Sequence, residues 1–200
     1  MLLIGLTGPS GAGKSTVSRL FSSLGLPILD ADAIYHTLLT PPSECLSDIT
    51  ECFGREILLP DGTLNRAALA SIVFHDPAEL EKLNHITHSH VLRDVRRQLR
   101  RLRDEGVPAA VLDAPQLFES GADKECSIVI SVIANEETRL HRIVERDGIS
   151  HDAAMERIRA QKSELFFRTH SDYVIENDLG VEALIPQIRR ILGETGVLPR

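Results

Sequence analysis

Gly8-Pro9-Ser10-Gly11-Ala12-Gly13-Lys14-Ser15 fits the pattern G-x-x-x-x-G-K-[ST], a glycine-rich turn that cradles the phosphates of a nucleotide. The flanks decide its reading. Leu2-Leu3-Ile4-Gly5-Leu6 ahead of it is an apolar run of strand length, and Val17, Leu20, Phe21 and Leu24 recur at helical spacing over Thr16 to Leu24. A chance glycine-rich turn would need neither flank. Between a strand and a helix, the backbone N–H groups of the turn lack helical partners and point at an anion. The phosphate-binding set is therefore Gly8, Gly11, Ala12, Gly13, Lys14, Ser15 and Thr16. Lys14 can reach the β- and γ-phosphates, and the Ser15 hydroxyl can take Mg²⁺.

Working outward, further apolar runs follow at Pro27-Ile28-Leu29-Asp30, Ala109 to Asp113, Ser127 to Val132 and Asp172 to Ile175. They are continuous rather than alternating, as strands read when helices cover both faces of a parallel sheet. The expected fold is a three-layer α/β sheet of about five strands, with ligands at the carboxyl ends of the strands. Between Ala33 and Gly106 no strong strand occurs. Asn65 reads as the cap of a helix from Arg66 to Phe74, and Asp76-Pro77-Ala78-Glu79 opens a long helix towards Asp104. In that helix Leu92, Val95, Leu99 and Leu102 make the apolar stripe. So long a stretch exceeds a simple crossover and predicts a helical substrate-binding insertion over about 33–106, within a core of 1–32 and 107–200.

The chain has 200 residues and a net charge of −7, which disfavours a general nucleic-acid binder because phosphate contacts need a basic surface. Anionic nucleotides must then be met locally, by a loop, a few arginines and a metal. The three cysteines, Cys45, Cys52 and Cys126, form no C-x-x-C pair and read as small buried apolar residues, as suits a reducing cytoplasm. Cys45 and Cys52, seven apart, share a helical face. No apolar run has the length of a membrane span, so no membrane partner is expected. Nothing here sets an oligomeric state.

Three groups could carry chemistry besides the loop. Asp30 and Asp32 end the second apolar run, where one carboxylate could deprotonate an acceptor hydroxyl; either could instead cap the next helix. Asp113 ends the third run and could hold Mg²⁺ through water, or only form the turn before Pro115. Arg139, Arg142 and Arg146 share one face of a helix that stops at Gly148. On a mobile lid they could cover the transferring phosphoryl group; as a solvated basic face they would make only weak surface pairs. Arg93, Arg96, Arg97, Arg100, Arg101 and Arg103 read as the polar side of the long helix. His85, His88 and His90 lack the partners of a usual metal motif.

The ordered set of segments resembles the dephospho-coenzyme A kinase family over nearly the whole chain. It comprises Gly5-Leu6-Thr7-Gly8 into the loop, Leu29 to Asp32, Asp61 to Leu69 with Ile72-Val73-Phe74, and Leu83 to His88. It continues with Pro115 to Glu119, Arg142 to Gly148, Arg157 to Gln161 and Asp172 to Asn177. The resemblance implies a P-loop kinase fold with a CoA-binding insertion and a lid over about 139–162. It implies ATP and Mg²⁺ as cofactors and phosphorylation of the ribose 3′-hydroxyl of dephospho-CoA. Asp32 matches the catalytic base, Arg142 and Arg146 the lid arginines, and Asn177 the residue near adenine. Gln116 and Ser89 depart from the family pattern, where leucine and proline are usual. The rival readings are another small-molecule or nucleoside monophosphate kinase, and a nucleotide-dependent switch.

Overall fold

Leu2–Thr7 forms β1, paired along both edges, and its apolar run is buried because both faces of the sheet are covered there. The computed structural model describes residues 1–197. β2 spans Ile28–Asp30, β3 Ala109–Asp113, β4 Ile128–Ile133 and β5 Tyr173–Glu176. They make one sheet of five strands in the order β2-β3-β1-β4-β5, with the pairs of β1, β3, β4 and β5 parallel. The register sets Leu6 beside Asp113 and Thr7 beside Ser131. The carboxyl ends of β1, β3 and β4 therefore lie in a row, with the glycine-rich loop leaving from the middle.

The chain divides into two compact units, Met1–Leu29 with Arg103 onward, and Asp30–Leu102. In the first unit α1, Lys14–Ser23, and α9, Val181–Glu194, pack on one sheet face. Strand alternation sends Ile4, Leu6, Val111, Ile130, Val132 and Ile175 to that face, where Phe21, Leu184 and Ile188 meet them. On the other face a Cβ at Gly5 would lie 2.7 Å from Cys126 Sγ and 2.9 Å from a Leu117 methyl, so only glycine lets that segment close on the sheet. Also in this unit, α6, Glu136–Asp147, packs on α7, His151–Arg159, around Ile143, Ala154 and Ile158. α8, Glu164–His170, leads back to β5.

The second unit is helical. It contains α2, Ala31–Leu38, α3, Glu44–Phe53, α4, Arg66–Val73, and all but the end of α5, Pro77–Asp104. Its core is Leu39, Cys45, Ile49, Phe53, Ile57, Leu69, Val73 and Leu83. Asn65 caps α4 by accepting from the Ala68 amide at 3.1 Å, and Asp76 accepts from Ala78 N at 2.8 Å before Pro77. On α5 the arginines face outward, Arg93 pairing with Glu44 and Arg97 with Asp94. Only Val95 of the four-residue stripe is buried; Leu92, Leu99 and Leu102 are half-buried.

Two expectations need correction. α1 begins at Lys14 rather than Thr16, so the loop's last residues already belong to the helix. Cys52 is exposed, unlike Cys45. On α3 the buried stripe is Cys45, Leu46, Ile49 and Phe53. At about 100° per residue its centre drifts away from Cys52, which falls roughly 75° to one side.

Candidate active site

The loop is built from the backbone upward. Gly11 and Gly13 have φ of +79° and +92°, a region that L side chains rarely adopt. They are also hemmed in. A Cβ on Gly11 would stand 2.6 Å from Arg139 O, and one on Gly13 would collide with Asn177 Nδ2. Ala12 N turns inward to Pro9 O at 3.1 Å. The N-terminus of α1 has no side-chain cap and no acidic residue in its first turn. The amides around Gly13, Lys14 and Ser15 are thus left for an anion, with the positive end of the helix behind them.

Lys14 reaches across to the carboxylate of Asp113, forming an ion pair at the ends of α1 and β3. Asp113 is 7% exposed, and the pair leaves neither charge alone in a poorly solvated place. Ser15 is exposed. Its hydroxyl and the Asp113 carboxylate are oxygen donors of the kind a hard cation takes, so these residues fit Mg²⁺.

Three side chains clasp the loop from behind. Arg139, only 6% exposed, donates from Nε to Ser10 O at 2.9 Å and from its terminal nitrogen to Gln161 Oε1 at 2.7 Å. Burial lowers its pKa from the usual arginine value. Arg142 donates to Gly11 O at 3.3 Å, Ala12 O at 3.4 Å and Asn177 O at 2.9 Å. Asn177, 4% exposed and just past β5, donates from Nδ2 to Ala12 O at 2.8 Å. Arg146 is exposed and bound to its neighbour Asp147 at 2.7 and 2.9 Å, with Ser10 Oγ at 3.4 Å. Asp147 also pairs with Arg157, and its two arginines, Arg146 first, hold its carboxyl down at about 2.

The face of arginines is therefore neither a solvated surface nor one set of equal members. Arg139 and Arg142 are tied into the loop's carbonyls, while Arg146 stays accessible. Asn177 directs its donor to the loop rather than outward. Gln161 joins the site without having been singled out for it. Its only mark in the sequence is its place in the Arg157 to Gln161 segment, and its contact with Ser10 spans 151 positions.

In the second unit the two aspartates separate. Asp30 caps α2, accepting from Asp32 N at 2.9 Å and Ala33 N at 3.0 Å. Asp32 lies in the first turn of α2 with its side chain exposed. His36, one turn on, is met by Arg66 at 3.1 Å. His90 is buried and joined to Asp48 at 2.7 Å and to Arg93 at 2.8 Å, and among the described residues no group of three His, Cys, Asp or Glu is arranged to hold a metal.

A parallel sheet with this loop after its central strand, an uncapped helix behind it and an inserted helical unit defines a P-loop kinase. Residues 2–183 match the family model described as dephospho-CoA kinase. The dephospho-CoA kinase of Corynebacterium glutamicum is 37% identical over 97% of both chains. A Thermus thermophilus protein of known structure superposes with a TM-score of 0.80 at 35% identity, over 96% of this chain and 97% of the other. The dephospho-CoA kinase of Campylobacter jejuni superposes with a TM-score of 0.72 at 27% identity, over 98% of both chains. The chain belongs to the dephospho-CoA kinase family, whose reaction is the ATP-dependent phosphorylation of dephospho-CoA to coenzyme A, with Mg²⁺. No helix among the described residues is long and apolar enough to cross a membrane.

Proposed function

We propose that this chain performs the family's reaction with Lys14, Arg142, Arg146 and Asp32 as its working side chains, in the cytoplasm. The observation that carries the assignment is the left-handed glycine loop over the uncapped start of α1, with Lys14 and Asp113 paired beside it. ATP lies with its β- and γ-phosphates on the amides around Gly13, Lys14 and Ser15. Lys14 leaves Asp113 for the phosphate oxygens and neutralises charge as it moves to the leaving ADP. Ser15 and Asp113 would hold Mg²⁺, which when bound draws charge from the same oxygens. The 3′-hydroxyl oxygen of dephospho-CoA attacks the γ-phosphorus, the bond to the ADP oxygen breaks, and Asp32 takes the hydroxyl proton. Asp30 supports this role for Asp32 because Asp30 already supplies the helix cap. Arg146 meets the transferring group once released from Asp147, and Arg142 and Asn177 keep the loop in shape. The helical unit receives the CoA portion of the acceptor.

The test is an ADP-release assay with dephospho-CoA, AMP, adenosine and shikimate as competing acceptors. Dephospho-CoA is expected to be used in strong preference. Preference for AMP or shikimate would overturn the assignment in favour of a different small-molecule kinase.

A further inference from the structure

Among the side chains that hold the loop, Gln161 meets it at the peptide of Ser10. Gln161 follows α7, and its side-chain oxygen accepts twice, from Ser10 N at 3.1 Å and from the Arg139 guanidinium at 2.7 Å. Arg139 in turn donates to Ser10 O at 2.9 Å. Both backbone polar groups of Ser10, the residue ahead of Gly11, are thus taken by one small network. A loop of glycines has little stiffness of its own, since glycine gives up the most backbone freedom on being ordered. Something outside the loop must fix it if its amides are to converge on a phosphate.

We propose that Gln161 is a positioning residue for the phosphate loop: its carboxamide oxygen, with Arg139, locks the peptide groups on both sides of Ser10 and so couples the α6–α7 helix pair to nucleotide affinity. The proposal rests on the nucleotide-binding reading of the loop. A carboxamide suits the task because a single sp² oxygen can accept both donors. Glutamate keeps that oxygen and matches Arg139 in charge; methionine keeps the length and removes the acceptor. Loss of the acceptor strands two part-buried donors, and such groups are costly to leave unmet. The readout should be selective. The lock bears on phosphate, so ADP should feel it and dephospho-CoA should not.

The experiment is calorimetric titration of the unaltered protein, Gln161→Met and Gln161→Glu with Mg·ADP and separately with dephospho-CoA. Gln161→Met is expected to weaken ADP by roughly tenfold, the effect of an unmet buried donor. Gln161→Glu should restore ADP to within about threefold of the parent, since it keeps the acceptor. Dephospho-CoA affinity should stay level in both. Unchanged ADP binding in Gln161→Met, a Gln161→Glu variant as weak as methionine, or a parallel loss for both ligands would each overturn the proposal. Failure of the unaltered protein to bind ADP would instead overturn the nucleotide reading. Amide exchange of Ser10 in the unaltered protein, read by NMR, needs no variant: slow exchange is expected of a locked N–H, and exchange as fast as an open loop would refute the lock.

Discussion

The phosphate end of the first unit and the exposed start of α2 in the second hold their functional groups in opposite ways. Around the loop, Arg139, Asn177 and Asp113 are buried, and each is bonded to a specific partner. At α2, Asp32 is exposed and lies in the first turn, its backbone N–H bonded to the Asp30 cap. The contrast suits the chemistry proposed for each end. ATP brings charge that must be met by dipoles already in place, since reorienting them at the moment of transfer would cost part of the rate. A base for a bulky acceptor's hydroxyl has to be open to that acceptor, and its geometry is completed by substrate.

Five results would break or sharpen this contrast. Asp32→Asn should lower kcat by about 10²–10⁴-fold, the usual general-base contribution, with ADP affinity nearly intact. Asparagine caps as well as aspartate, and Asp30 already caps, so a kcat within about threefold of the parent would remove Asp32 from the chemistry. Lys14→Ala should lower kcat by roughly 10²–10³-fold, the scale of one lost charge-stabilising donor. It also leaves Asp113 buried beside an empty place, so its melting temperature should fall as well. Undiminished turnover in a folded Lys14→Ala protein would undo the assignment of the loop.

Gly13→Ala tests the buried end by shape alone. It adds a methyl at φ +92° that collides with Asn177 Nδ2. Strain of about 1–3 kcal/mol corresponds to a loss of ADP affinity of order tenfold or more, read by titration with dephospho-CoA binding as the control. Wild-type ADP affinity would mean that the loop is softer than its contacts imply.

The thiols separate buried from open surface without altering activity. Burial raises Cys45 to about 11 and Cys126 to about 12, so both stay protonated at pH 8, whereas Cys52 is exposed. An aromatic disulfide reagent should modify one thiol per chain quickly and the other two only on unfolding. Two fast thiols would show that the half-buried Cys126 or the core around Cys45 is open to the reagent in the native state.

The smallest effect concerns Asp147, the exposed partner of Arg146 and Arg157. Its carboxyl titrates at about 2 instead of 3.8. A lowered carboxylate value means stabilisation that is full above the ordinary value and is lost as pH falls through the folded one. The melting-temperature gap between the parent and Asp147→Asn should thus be constant above about pH 4 and close as pH falls towards 2. A gap that grows on acidification would reverse the assignment of the pair.

Much of the molecule was legible in the chain. The apolar runs marked the strands within a residue or two, Asn65 and Asp76 announced α4 and α5, and the eight residues from Gly8 named the ligand class. These are local signals: strand and helix periods, caps and a glycine turn depend on neighbours within a few positions. Local reading misjudged Cys52, because whether a helical residue is covered depends on what packs against its face. It also left capping open for both Asp30 and Asp32 until the amides of Asp32 and Ala33 were found on Asp30.

The sequence by itself determined the nucleotide loop, the parallel α/β core and the helical insertion, since each is written in short-range spacing. Only the tertiary structure decided which arginines clasp the loop, that Lys14 pairs with Asp113, and that Gln161 belongs to the site. Those contacts join residues 99 to 151 positions apart. Their partners are chosen by strand register and helix packing, and no local pattern records which distant carbonyl a side chain will meet.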